Sequence, residues 1–292
     1  MSFGEVLTAM VTPFNDQLEV DYKQAAKLAQ RLVDNGSDGL VVLGTTGEVP
    51  TLSKEEKLKI LETVVEQVGN EATIIAGSGS YSTAESIKFS QQAEDIGVDA
   101  LMLVGPYYNK PPQYALYNHF AEIADNVDLP LMIYNVPSRT GKNIEPETVL
   151  RLAEIENIIA VKEASGDICQ INKLARLADD DFKIYSGDDS LTLPAIAVGA
   201  EGVISVASHL VGEEIKAMIK NYKAGNVNQA KEINQKLGEL FNALFIKTNP
   251  IPVKKALNLA GLEVGKLRGP LYELPEEDTI KLKEVLAKYE LV

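Results

Sequence analysis

Residues 73–104 read TIIAGSGSYSTAESIKFSQQAEDIGVDALMLV. Two short, continuously apolar runs, 73–76 and 100–104, flank an amphipathic stretch, 83–96, that is closed by Gly97. A run without polar alternation suits a strand covered on both faces. Two such strands joined through a helix must be parallel, because the crossover returns the chain to the same end of the sheet. The unit repeats outward in both directions. Strand candidates at 6–11, 39–43, 131–134, 158–163, 183–186 and 202–206 bring the number to eight. Helix-like stretches at 22–35, 54–68, 113–126, 146–155 and 170–178 lie between them.

Local chemistry supports these boundaries. Ser53-Lys54-Glu55-Glu56 has the form of a capping box, and Glu145-Pro146-Glu147 places proline and acids in a first turn. Gly36, Gly69 and Gly97 stand where left-handed C-caps are expected. Eight β/α units match a closed (β/α)8 TIM barrel better than an open doubly wound sheet. From Gly225 the strand signal stops, and 228–248, 253–259 and 276–289 read as helices. The expected organisation is a barrel over residues 1–224 with a C-terminal helical appendage, 225–292, packed on it.

Composition narrows the function. The 292 residues carry 42 Asp+Glu against 28 Lys+Arg, a net charge of −14, which opposes nucleic acid and anionic membranes as partners. At 45% hydrophobic and 24% charged, the chain has enough apolar material for a core. No apolar run approaches the roughly 20 residues of a membrane span. Cys169 alone makes no intramolecular disulfide, and Met1-Ser2-Phe3-Gly4-Glu5 does not read as a secretory signal, so a reducing cytoplasm is expected. His119 and His209 with one cysteine cannot build an imidazole- or thiolate-rich metal centre, so chemistry without zinc is expected. These three residues are read as structural. Gly77-Ser78-Gly79 lacks the third glycine of a dinucleotide loop.

In such barrels the site forms where strands exit at their C-terminal ends. The second strand leads into Gly44-Thr45-Thr46-Gly47-Glu48, whose hydroxyls and N–H groups suit a small carboxylate, or which is a plain turn. The sixth leads into Lys162, in register with Ile158 and Ala160 and thus aimed at the interior. Burial lowers an ammonium pKa and frees the amine to attack a carbonyl; pairing with a buried carboxylate is the alternative. Tyr134 shares the parity of Met132, so its phenol can exchange protons in the pocket or merely satisfy a buried hydrogen bond. Arg139 offers a bidentate carboxylate clamp. Tyr107 and Tyr108, on a proline-framed loop, mark a subunit contact or a substrate wall. For Asp188-Asp189-Ser190, a helix N-cap at Asp189 or Ser190 is expected rather than metal binding.

Gly44-Thr45-Thr46-Gly47-Glu48, Pro106-Tyr107-Tyr108-Asn109, the run from Tyr134 to Gly141, Lys162-Glu163-Ala164 and Gly202-Val203-Ile204-Ser205, in this order, closely resemble the dihydrodipicolinate synthase family. The resemblance spans essentially the whole chain, including Asn249-Pro250-Ile251-Pro252-Val253-Lys254. It implies a cofactor-free condensation of pyruvate with L-aspartate 4-semialdehyde on the route to lysine and diaminopimelate. By motif position it implies that Lys162 forms a Schiff base with pyruvate and that Thr45 and Thr46 bind its carboxylate. Thr46, Tyr134 and Tyr108 would form a proton relay, with Tyr108 supplied by a neighbouring subunit of a homotetramer. Arg139 would hold the semialdehyde carboxylate, and Gly187 and Ile204 would line the pyruvate site.

One departure stands out. Feedback-inhibited relatives line an interface pocket for free lysine with small or polar residues and histidines, where this chain carries Lys54 and Lys57, and Tyr81 replaces an Asn. Lysine inhibition is therefore expected to be weak or absent. Two further readings remain: a sibling pyruvate aldolase, such as N-acetylneuraminate lyase or a keto-deoxy sugar-acid aldolase, and a non-catalytic binding protein on the same barrel. Arg139 within Ser-Arg-Thr-Gly speaks for the synthase, and the retention of every site residue against the binding protein.

Overall fold

The computed structural model describes residues 2–292; Met1, the first residue of the stretch read for a secretory signal, lies outside them. Eight parallel strands pair in sequence order, and β1 closes on β8. They are β1 Val6–Ala9, β2 Gly39–Val42, β3 Thr73–Gly77, β4 Ala100–Val104, β5 Leu131–Asn135, β6 Ile158–Glu163, β7 Lys183–Ser186 and β8 Gly202–Ser205. The helices are α1 Tyr22–Asp34, α2 Lys54–Val68, α3 Thr83–Ile96, α4 Gln113–Ala124, α5 Pro137–Thr140, α6 Pro146–Leu152, α7 Ile168–Leu177, α8 Thr192–Ala197, α9 Ser208–Lys223, α10 Val227–Ala243, α11 Ile251–Leu259 and α12 Glu276–Lys288. The closed (β/α)8 barrel read from the strand alternation is thus the observed fold.

Strand parity divides the apolar residues into two cores. Leu7, Ala9, Val41, Ile75, Met102, Met132, Ala160 and Ile204 fill the barrel, with Phe3 and Tyr185 among them. The alternate strand residues, such as Leu40, Ile74, Leu101, Ile133 and Val161, pack outward against the helices. The parity expected for Lys162 holds with Ala160 but not with Ile158, which lies in the outer core. A register shift in the β5–β6 pairing, where Leu131 meets Ile158 and Met132 meets Ala160, resets the alternation.

Caps follow side-chain chemistry. Ser53 and Glu56 form the capping box of α2. Gly36 and Gly97 adopt φ of 95° and 92°, as a left-handed cap requires. Gly69 does not: it stays right-handed at φ −63°, as the C-cap of α2. Helix α10 ends at Ala243, short of the expected 248, and the intervening turn leads into Asn249 and Pro250. The residue before a proline disfavours helical backbone, so Asn249 stays outside both helices.

After the barrel, α10 packs on α9, and α12 packs on α10 and α11. From α11, Lys254 reaches the barrel mouth. Its ammonium, 1% exposed, pairs with Glu48 at 2.9 Å and donates to the carbonyls of Thr12 and Lys266. Glu48, at φ 54°, also accepts from the Arg268 backbone N–H. The loop that follows β2 is thereby clamped from the C-terminal segment. Among the described residues no helix is long and apolar enough to cross a membrane.

Candidate active site

A cavity of about 310 Å³ opens at the C-terminal ends of the strands, where Thr45, Thr46, Tyr134, Arg139, Lys162, Gly187 and Ile204 meet. The strand register brings the two central residues together: Tyr134 on β5 is paired with Lys162 on β6. The Lys162 ammonium nitrogen lies 4.3 Å from the centre of the Tyr134 ring. The next residues, Asn135 and Glu163, face away from the barrel interior and lock the strands. The Asn135 amide donates to both Glu163 carboxylate oxygens at 3.1 and 3.0 Å, and Gln170 donates to the same carboxylate at 2.7 Å. The relative placement of phenol and amine is therefore set by a buried polar clamp behind them.

Lys162 is 6% exposed, and burial pushes its ammonium down from 10.5 to about 7. Asp189 opposes that shift and the Arg139 guanidinium adds to it. Of the two readings open for Lys162, the structure supports the free amine: burial lowers its ammonium, and among the described residues no carboxylate forms an ion pair with it. Gly187 makes room for its stem, since a Cβ there would stand 2.6 Å from the Ala164 Cβ and 3.1 Å from the Lys162 Cε. Burial raises the Tyr134 phenol, against the pull of Arg139 and of a hydrogen bond with the Thr45 side chain.

That last contact corrects the order of the two threonines. The hydroxyl beside Tyr134 is that of Thr45. Thr46, expected in the relay, is buried and its hydroxyl accepts from the Asn249 amide at 2.8 Å. The two threonines are neighbours in the one-turn helix Thr45–Gly47, yet their hydroxyls have different partners, Tyr134 for Thr45 and Asn249 for Thr46. Both still line the cavity and open that turn with their N–H groups, which suits a carboxylate.

Tyr108 is not part of this cavity within the single chain. It is 94% exposed, at φ 71°, and its ring projects from the loop after β4, while Tyr107 packs edge-on against Tyr81 at 5.3 Å. Asp189 also departs from expectation. The N-cap is Asp188, whose carboxylate accepts from the Ser190 N–H. Asp189 is 1% exposed and binds the Ser205 hydroxyl and the N–H groups of Val206 and Ala207, fixing the exit of β8. His119 and His209 are buried and pushed down to about 4, hence neutral; His209 accepts from the Val11 N–H. Cys169 is exposed and free.

The sequence reading gave no role to residues of the C-terminal segment, yet Phe241, Asn242, Phe245 and Asn249 line the cavity. The only signal was a polar Asn held in a proline-framed turn. Arg139 on α5 is tied to the same turn, donating to the Asn249 carbonyl at 3.1 Å.

An amine freed by burial, a phenol against it and carboxylate-binding groups around both, at the mouth of a (β/α)8 barrel, define a Schiff-base-forming lyase. The chain belongs to the dihydrodipicolinate synthetase family, whose model matches residues 2–289. It is 55% identical over 291 residues to the 4-hydroxy-tetrahydrodipicolinate synthase of Heliobacterium modesticaldum, covering 100% of this chain and 97% of that one. Among solved structures it resembles the lysine-bound enzyme of Cyanidioschyzon merolae, with a TM-score of 0.98, 44% identity and 99% of each chain covered. It also resembles a monomeric dihydrodipicolinate synthase variant, with a TM-score of 0.97, 40% identity and 99% and 98% of the two chains covered.

Proposed function

We propose that this enzyme condenses pyruvate with L-aspartate 4-semialdehyde to give 4-hydroxy-tetrahydrodipicolinate. The observation that carries the reading is Lys162, an amine buried on the wall of a cavity that otherwise offers donors for carboxylates, where burial pushes its pKa down to about 7. Its amine adds to the pyruvate ketone carbon, the resulting hydroxyl leaves as water, and a protonated imine forms. Loss of a methyl proton gives the enamine, whose carbon attacks the aldehyde. The amine of the semialdehyde then adds to the imine carbon, closes the ring and expels Lys162 as free amine. The imine is the electron sink, so no metal or organic cofactor is required.

Each proton moved needs a carrier in a chain with two histidines, both buried and neutral. Tyr134 is adjacent to the amine, and Thr45 links it outward. We place Tyr108 of a neighbouring subunit at the end of this relay; its near-complete exposure and left-handed backbone fit a ring that a second copy receives. The functional form is then at least a dimer, in a homotetramer, and the compartment is the cytoplasm. Arg139 takes the semialdehyde carboxylate. A guanidinium at that place favours the synthase over sibling aldolases, whose acceptors bring no carboxylate there.

Borohydride reduction in the presence of pyruvate, followed by peptide mass spectrometry, tests the reading. The expected result is a reduced pyruvate adduct on Lys162; no adduct refutes it.

A further inference from the structure

We propose that Asn249 is a positioning residue for the first substrate: its side-chain amide makes the Thr46 hydroxyl a donor toward the pyruvate carboxylate. The inference rests on the pyruvate reading above and adds the residue that enforces it.

A threonine hydroxyl has one proton and can accept as well as donate. A carboxylate only accepts, so Thr46 serves it in one of its two polarities. The Asn249 Nδ2 group is a pure donor and lies 2.8 Å from Thr46 Oγ1. With that lone pair occupied, the hydroxyl proton has to point elsewhere, and Thr46 lies on the cavity wall beside Lys162. Thr46 and Asn249 are 3% and 6% exposed, so bulk water does not stand in for the amide. The opposite orientation would place Asn249 Oδ1 on Thr46 and draw the proton away from the substrate. Oδ1 is buried without a partner, so the amide's one side-chain hydrogen bond is the one it gives to Thr46.

The same residue uses its backbone carbonyl to hold Arg139 at 3.1 Å. Asn249 thus sits between the two carboxylate receivers of the site, and it does so from the C-terminal segment. Its role is distinct from that of a group touching substrate, because it acts through Thr46.

The test measures the pyruvate concentration that half-saturates the borohydride-trapped Lys162 adduct, by intact mass, with melting temperatures recorded alongside. Asn249→Ala is expected to raise it about tenfold, the size of a lost hydrogen bond to a charged group. Thr46→Val should do the same, and the double variant should lose no more than either single one. Asn249→Asp supplies a second line. At about pH 8 the introduced carboxylate accepts the Thr46 proton and weakens pyruvate; toward about pH 5 it becomes protonated, donates as the amide did, and the ratio to wild type should fall back. Additive losses in the double variant, or an Asn249→Asp enzyme with a wild-type response at every pH, would overturn the role of Asn249 while the adduct still forms. Absence of the adduct in the wild type would refute the pyruvate reading and this one together.

Discussion

The depressed pKa of Lys162 makes a quantitative prediction about pH. An ordinary lysine at 10.5 has about one free amine in 3,000 at pH 7, whereas at about 7 half of the molecules carry the nucleophile. Burial is thus worth about a thousandfold in reactive amine, and it needs no general base to supply it. Imine formation measured by rapid borohydride quench should rise about tenfold per pH unit on the acid side and flatten above about 7. Two neighbours move that limb in opposite directions. Arg139 lowers the Lys162 pKa, so Arg139→Ala should shift the limb to higher pH. Asp189 raises it, so Asp189→Asn should shift the limb to lower pH. The pair separates electrostatics from general damage, since damage alone would not change sign. A wild-type limb near the ordinary lysine value, or two variants moving the same way, would refute the argument.

Gly187→Ala introduces a Cβ 2.6 Å from the Ala164 Cβ and 3.1 Å from the Lys162 Cε, so a displaced nucleophile should lower kcat about a hundredfold and the overlap should lower the melting temperature as well. Glu48→Gln leaves the Lys254 ammonium buried without its partner, which should cost about 3–5 kcal/mol in chemical denaturation. Tyr108→Phe and Arg139→Ala variants, each weak alone, should recover activity when mixed as heterodimers, because one combined site regains both groups; no recovery would count against a shared site. Free lysine should not half-inhibit below about 1 mM, since Lys54, Lys57 and Lys88 line the pocket bounded by Glu85 and Tyr107. Steady-state inhibition curves decide that point.

The strands were legible because a parallel barrel demands continuous apolar runs at regular spacing between amphipathic stretches. Lys162 was legible for a reason only partly correct. Its interior aim follows from Ala160, and the inference from Ile158 missed the register shift that restores the alternation. Such a shift leaves no mark in an apolar sequence. Gly69 shows the same limit, since a helix-ending glycine permits a left-handed cap without requiring one. Thr45 and Thr46 are chemically equivalent as letters; only the turn that contains them decides which hydroxyl meets Tyr134 and which meets Asn249. Asp189 read as a cap because acids commonly cap helices, whereas three donors from the end of β8 claim it. Asn249 had only a weak local signal, its place in a proline-framed turn, because its partners are 203 and 110 positions away in the chain.

That separation has a consequence for biosynthesis. Strand β8 completes the barrel at Ser205, and by then Lys162, Tyr134 and the threonines have all been translated. The turn containing Asn249 and the Lys254 anchor of the β2 loop still wait behind them, 203 and 206 positions from Thr46 and Glu48. A ribosome-bound or prematurely terminated chain therefore carries its reactive lysine before the loops that receive a substrate are braced. Competence waits until the segment after β8 has been made and has folded back onto the barrel mouth.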